Sequence, residues 1–161
     1  MDVNEDDVEE HIVTFEGVEG EGLAIDDWAF LIPEGERIER LAVRALTTIG
    51  PPRVLLFTAA GEDIWKYLYI WAWDGESYAR QVPHQGPLDG EQTFRSAYYQ
   101  PVIEDVDFTG SAEIAVTLST DNPDYVRVVY YDWDATEKRY LHSTLFISVP
   151  KHVPMSTPLT D

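Results

Sequence analysis

Two stretches of this chain run in step at a separation of 60 residues, and no other feature constrains the fold as tightly. Gly50 corresponds to Gly110, Val54 to Ile114, Trp73 to Trp133 and Asp74 to Asp134, with no gap between them. A register that survives a turn, a strand, a loop and a second strand marks one supersecondary unit present twice. Such units share a core with their neighbours.

Each unit alternates short β-branched and aromatic runs with Gly, Pro, Asn and Asp turns, the pattern of strands. Leu41–Leu46, Arg53–Ala59, Trp65–Trp73 and Ser77–Val82 make the first set. Val102–Val106, Glu113–Leu118, Tyr125–Trp133 and Arg139–Val149 make the second. The expected fold is therefore all-β. Two four-stranded antiparallel meanders, at about 38–83 and about 100–148, pack as an open pair or a sandwich within a domain of residues 37–150. An acidic segment (1–36) precedes it, its first ten residues reading as a tail, and a Pro-containing tail (151–161) follows. Apolar runs at His11–Phe15 and Leu23–Ile32 are placed to cover one side. The link 84–101 reads as loop, with one helical turn around Glu91–Ala97. At 161 residues the chain can bury about 68–70% of its unfolded surface, so it needs neither disulfide nor metal to hold a core. It has no Cys, which excludes thiolate chemistry.

In the second unit, DVDFTGSAEIAV (105–116) followed by VRVVYYDWDATEKRY (126–140) resembles the FG-GAP/VCBS repeat, the blade of integrin-α-like β-propellers. Asp105, Asp107, Gly110 and Glu113 stand at the places of that repeat's Asp-rich turn. The first unit keeps Gly50, the strand RVLLF and the close WAWDGESY but loses the acids. The resemblance spans about residues 40–148 and implies propeller-blade-like topology. Closed propellers take about 4–8 blades, so two blades imply an open pair, a ring made by a homo-oligomer, or cover from the N-terminal strands.

The Asp-rich turn admits two readings. Ca²⁺ takes six to eight oxygens at about 2.3–2.6 Å. Asp105, Asp107, the Thr109 hydroxyl, a carbonyl near Ser111 and Glu113 can supply five. Alternatively the turn is kept for its shape, with Gly110 at positive φ and Asp side chains capping N–H groups. The first-unit equivalents Ala45, Thr47, Ile49 and Arg53 cannot bind a cation, so the expectation is no obligatory cofactor, with weak Ca²⁺ binding as the alternative. An EF-hand is excluded because Val116 holds its twelfth place.

Charge is distributed unevenly. Residues 1–36 carry thirteen of the thirty acids and no Lys or Arg, in a chain of net charge −19. Such a field repels nucleic acid and anionic lipid and favours a basic partner. The block fits a solubilising tail, a docking arm for a basic protein surface through Asp2, Glu5, Asp6, Asp7, Glu9 and Glu10, or adaptation to high salt. No apolar run approaches the roughly 20 residues that span a bilayer. The opening MDVNEDDVEE lacks the basic start and apolar run of a signal peptide, which predicts a cytoplasmic protein, although the resemblance allows an extracellular one.

Trp65, Tyr67, Tyr69, Trp71 and Trp73 alternate with smaller residues and share one sheet face. They serve as core or as a platform for a sugar or protein, with Trp65 and Tyr125 outermost. The histidines show no HExxH spacing, and no GxSxG, P-loop or GxGxxG occurs. The acid pairs Asp26–Asp27, Glu62–Asp63 and Asp132–Asp134 are what thirty acids produce by composition. The expected function is a non-enzymatic protein–protein interaction module or accessory subunit. The alternatives are a calcium-dependent lectin-like domain and an acid-catalysed hydrolase.

Overall fold

A computed structural model describes residues 1–62 and 64–151, without the side chains of 144–146; the C-terminal tail beyond 151 and the Asp63 member of the Glu62–Asp63 pair lie outside them. The fold is all-β. β1 (Ile12–Gly17), β2 (Gly20–Ile25) and β3 (Trp28–Leu31) form an antiparallel meander. β4 (Arg37–Arg44), β5 (Arg53–Ala60), β6 (Trp65–Trp73) and β7 (Tyr78–Gln81) form a middle sheet. Two-residue β8 (Pro83–His84) leaves that sheet to pair in parallel with the last strand, and a 3-10 turn (Gly86–Leu88) follows. β9 (Phe94–Ala97) returns to pair with the first half of β6, beside β7 on the second half. β10 (Val102–Glu104), β11 (Glu113–Ser119), β12 (Tyr125–Asp134) and β13 (Arg139–Pro150) complete a third sheet in the order β10-β11-β12-β13-β8.

The middle and third sheets share a ladder register. Ala42 faces Leu55 as Val102 faces Ala115, and Val54 faces Trp71 as Ile114 faces Tyr131, each pair 60 residues from its counterpart. The hairpins then diverge: Trp73 faces Tyr78, whereas Trp133 faces Tyr140, because the second turn is two residues longer.

Alternation along the strands gives each sheet two apolar faces. Leu55, Phe57, Leu68 and Ile70 point from the middle sheet onto Ile114, Val116, Val129 and Tyr131 of the third, making one core. The opposite face of the middle sheet, Val54, Leu56, Tyr69 and Trp71, receives Leu23, Ile25, Trp28 and Phe30 of the first sheet. Neighbours therefore meet by unlike faces: positions 54, 56, 69 and 71 take the first sheet, and positions 114, 116, 129 and 131 take the middle one.

Three expectations change. The sheets hold five strands rather than four, because β8 and β9 each add to a ladder. The helical turn expected around Glu91–Ala97 is instead β9, whose Phe94 is fully buried against Tyr131 and Tyr140. Burial of that ring outweighs the local helical preference. The first ten residues, expected as a tail, are folded: Val3 is 1% exposed and joins the core beneath β1–β3.

Candidate functional site

Asp105 to Glu113 form a tight loop between β10 and β11. Asp105 accepts the N–H groups of Thr109 (3.1 Å) and Gly110 (2.8 Å). Asp107 accepts the N–H and the hydroxyl of Thr109. Glu113 reaches back to accept the N–H of Val106 at 2.6 Å. Gly110 sits at φ 91° and Phe108 at φ 59°. The loop thus brings together the residues the sequence singled out, and carboxylate oxygens of Asp105, Asp107 and Glu113 lie within 4.8 Å of one another.

The acidic N-terminus builds the same loop. Asp2 accepts the N–H groups of Glu5 (2.7 Å) and Asp7 (3.0 Å), Asn4 accepts that of Asp6, and Glu10 accepts that of Val3 at 2.7 Å. Glu5 and Asp7 hold the positive φ of Phe108 and Gly110. Asp2, Asn4, Asp6, Asp7 and Glu10 therefore correspond to Asp105, Asp107, Thr109, Gly110 and Glu113, 103 residues on. Oxygens of Asp2, Asp6 and Glu10 also converge within 4.8 Å. The sequence signal was present as D-x-N-x-D-x-x-x-E. It was masked because an Asp, not a Gly, fills the positive-φ place inside a block of like charge.

A third loop, 45–53, connects β4 and β5 with Gly50 at φ 99°. Here Arg53 stands where the others carry Glu. It donates to the Pro51 carbonyl (2.7 Å) and to Gln81 Oε1 (3.2 Å), and its guanidinium lies 5.1 Å from the Trp133 ring centroid. The two loops of the larger sheets touch, since the Ala112 N–H donates to the Leu46 carbonyl at 2.7 Å.

Electrostatics separate the acids. Burial pushes the Glu113 carboxyl above its ordinary 4.5, and Asp107 and Asp132 push it the same way. Asp107 is held below its ordinary 3.8, chiefly by the Thr109 hydroxyl. Burial, with Asp107 nearby, raises Asp132.

Both donor sets suit a hard cation: two carboxylates, a third acid, and a hydroxyl or amide oxygen, with no soft ligand. Internal hydrogen bonds also close both loops. Glu5, Asp6, Asp7 and Glu9 project outward, whereas Glu10 is buried.

The aromatic stripe does share one face, but it is no platform. Trp71 is packed by Trp28 at 5.6 Å and Phe30 at 4.9 Å, and Tyr69 by Phe30 at 5.3 Å. Trp65 is half-buried under Arg95, and Tyr125 is exposed at the far end of β12. Asp74 caps Glu76 and Ser77, and Asp134 caps Glu137, so these acids build their hairpin turns.

No protein-family model, curated protein or solved structure matches the chain.

Proposed function

We propose that this chain is a non-enzymatic binding module, a rigid stack of β-sheets that presents an acidic, calcium-loaded surface to a basic protein partner. The observation that carries the reading is the pair of loops 2–10 and 105–113, alike in carboxylate caps, positive-φ positions and returning glutamate. Asp2, Asn4, Asp6 and Glu10 would hold one cation; Asp105, Asp107, Thr109 and Glu113 the other. The cation would neutralise converging acids and tie β1 and β11 to the loops that precede them. Kinship with FG-GAP/VCBS repeats belongs to this proposal, supported by the common ladder register and the unlike-face stacking.

The docking role rests on geometry as well as charge. Glu5, Asp7 and Glu9 are displayed on a fixed loop, so a partner would meet them without the entropic cost of ordering a tail. The test is a pull-down with the full chain against a variant carrying Glu5→Gln, Asp7→Asn and Glu9→Gln, with and without about 1 mM calcium, a concentration suited to weak sites. A basic partner lost with the charges supports docking. The same partners on both chains would discard it. Calcium binding is read separately by calorimetry, where no heat of binding would remove the cation from the proposal.

A further inference from the structure

Between the β6–β7 hairpin, the β12–β13 hairpin and loop 45–52 lies a cavity of about 590 Å³. That volume falls in the usual range of small-molecule sites, about 300–1,000 Å³. Its charge is opposite to that of the chain. Arg53, Arg80, Lys138 and Arg139 line it, against the single carboxylate of Asp74.

Arg53 is the centre of the argument. It is 4% exposed, yet its partners are a carbonyl, an amide oxygen and an indole face, all uncharged. No carboxylate of the described residues forms an ion pair with it. A buried cation without a counter-charge is costly, and natural proteins pair such charges. Arg139, which also lines the cavity, has a buried Nε with no hydrogen-bond partner. Its Nη2 lies 3.5 Å from Glu137.

The surroundings set the size of the missing charge. Arg80 turns its guanidinium over Phe30, 4.6 Å from the ring, and so faces the other core. Glu137 answers Arg139, and Asp74 offsets one of the two charges left on Arg53 and Lys138. What remains is close to one positive charge, which suits a carboxylate better than a phosphate dianion. The walls are apolar at Ala72, Ala79, Val82 and Trp133.

We infer that this cavity binds a small organic monocarboxylate, its acid group on the Arg53 guanidinium and its apolar body against Trp133. The planar fork of arginine matches a carboxylate with two parallel hydrogen bonds. The cavity meets the acidic loop 105–113 at Ser111 but draws its cations from loop 45–53 and the β6–β7 and β12–β13 hairpins.

Calorimetric titration of the full chain with benzoate, benzamide, cyclohexanecarboxylate and inorganic phosphate tests this. Benzoate or cyclohexanecarboxylate should bind about tenfold or more tightly than benzamide or phosphate, the scale of one charge-assisted hydrogen bond. The two acids distinguish a flat ring from a saturated one. Arg53→Gln should lose that binding. Should it fail to fold, Lys138→Gln with Arg139→Gln, on a hairpin turn, should weaken it about tenfold at unchanged melting temperature. No binding of either acid up to about 10 mM, checked at two temperatures, would overturn the inference. Equal binding of benzamide, preference for phosphate, or indifference to the Lys138 and Arg139 changes would overturn it too.

Discussion

Arg53 and Glu113 hold the same ladder position in two different sheets, each opposite a residue of its own sign: Arg53 faces Arg44 and Glu113 faces Glu104. One unit has an acid where a cation would be received, and the other carries a cation of its own. This exchange divides two of the three proposed sites, a cation on the loop of one sheet and an anion beside the loop of the other.

Glu113→Gln separates shape from charge. The amide can still accept the Val106 N–H, so the loop should persist while a charge beside Asp107 and Asp132 disappears. Without calcium the variant should melt about 2–4 °C higher, the effect of roughly 1 kcal/mol in a chain of this size. With calcium it should lose the part of the rise that belongs to loop 105–113. Differential scanning calorimetry in EDTA and in calcium reads both; an unchanged calcium response in the variant would exclude this loop.

The pH dependence has a definite sign. Glu113 and Asp132 have raised pKa values, so between their ordinary and folded values the folded chain binds more protons than the unfolded one. Stability therefore falls as pH rises through that window, which opens at 4.5 for Glu113 and 3.8 for Asp132. Asp107 is lowered and acts oppositely, its contribution being lost as pH falls below 3.8. In EDTA the chain should melt higher at pH 5 than at pH 7, and Glu113→Gln should narrow the difference. Calcium affinity should move the other way, weakening as the glutamate takes up its proton. Melting curves and calcium titrations at both pH values test the two signs.

Removing residues 1–36 should not yield a shortened but intact module. It would uncover Val54, Leu56, Tyr69 and Trp71, which the first sheet now buries. The truncated chain should bind a hydrophobic dye and aggregate. Trp71→Ala in the full chain should cost about 3–5 kcal/mol, the usual loss for a buried Trp. A soluble, monomeric truncation on gel filtration would contradict this account of the packing.

Tyr131 links the third sheet to the connection after β8. Its hydroxyl accepts the Leu88 N–H at 2.9 Å and donates to the Gln85 carbonyl at 3.1 Å. Tyr131→Phe should cost about 1–3 kcal/mol, because the Leu88 N–H is left buried and unpaired. Urea unfolding would show a lower midpoint at unchanged slope.

The strands and their ladder register were legible because Val54 and Ile114, or Trp73 and Trp133, lie in matched alternation that any one-residue slip would turn outward. Asp105, Asp107 and Glu113 were legible for the same reason, since spacing within one turn is local. The N-terminal loop was not. Asp7 at positive φ carries no glycine to announce it, and Val3 looks like one apolar residue in a charged run until Glu10 closes over it. The cavity was beyond sequence reasoning because Arg53 meets Trp133 only through sheet stacking across some eighty residues of chain. Within the link 84–101, Phe94–Ala97 form a strand rather than a helical turn because Phe94 gains a core that exists only once β11 and β12 are in place.

Stacking by unlike faces gives the molecule polarity, as a staircase has. A pair of sheets meeting through matching faces would be a closed object with interchangeable halves. Here each step is defined by the one before it, so the first and last sheets are chemically different ends. Val13 and Leu31 lie exposed in the first of them, Ile147 in the last. Evolution can lengthen or shorten such a chain by whole steps without redesigning a core, and only the two landings need to change.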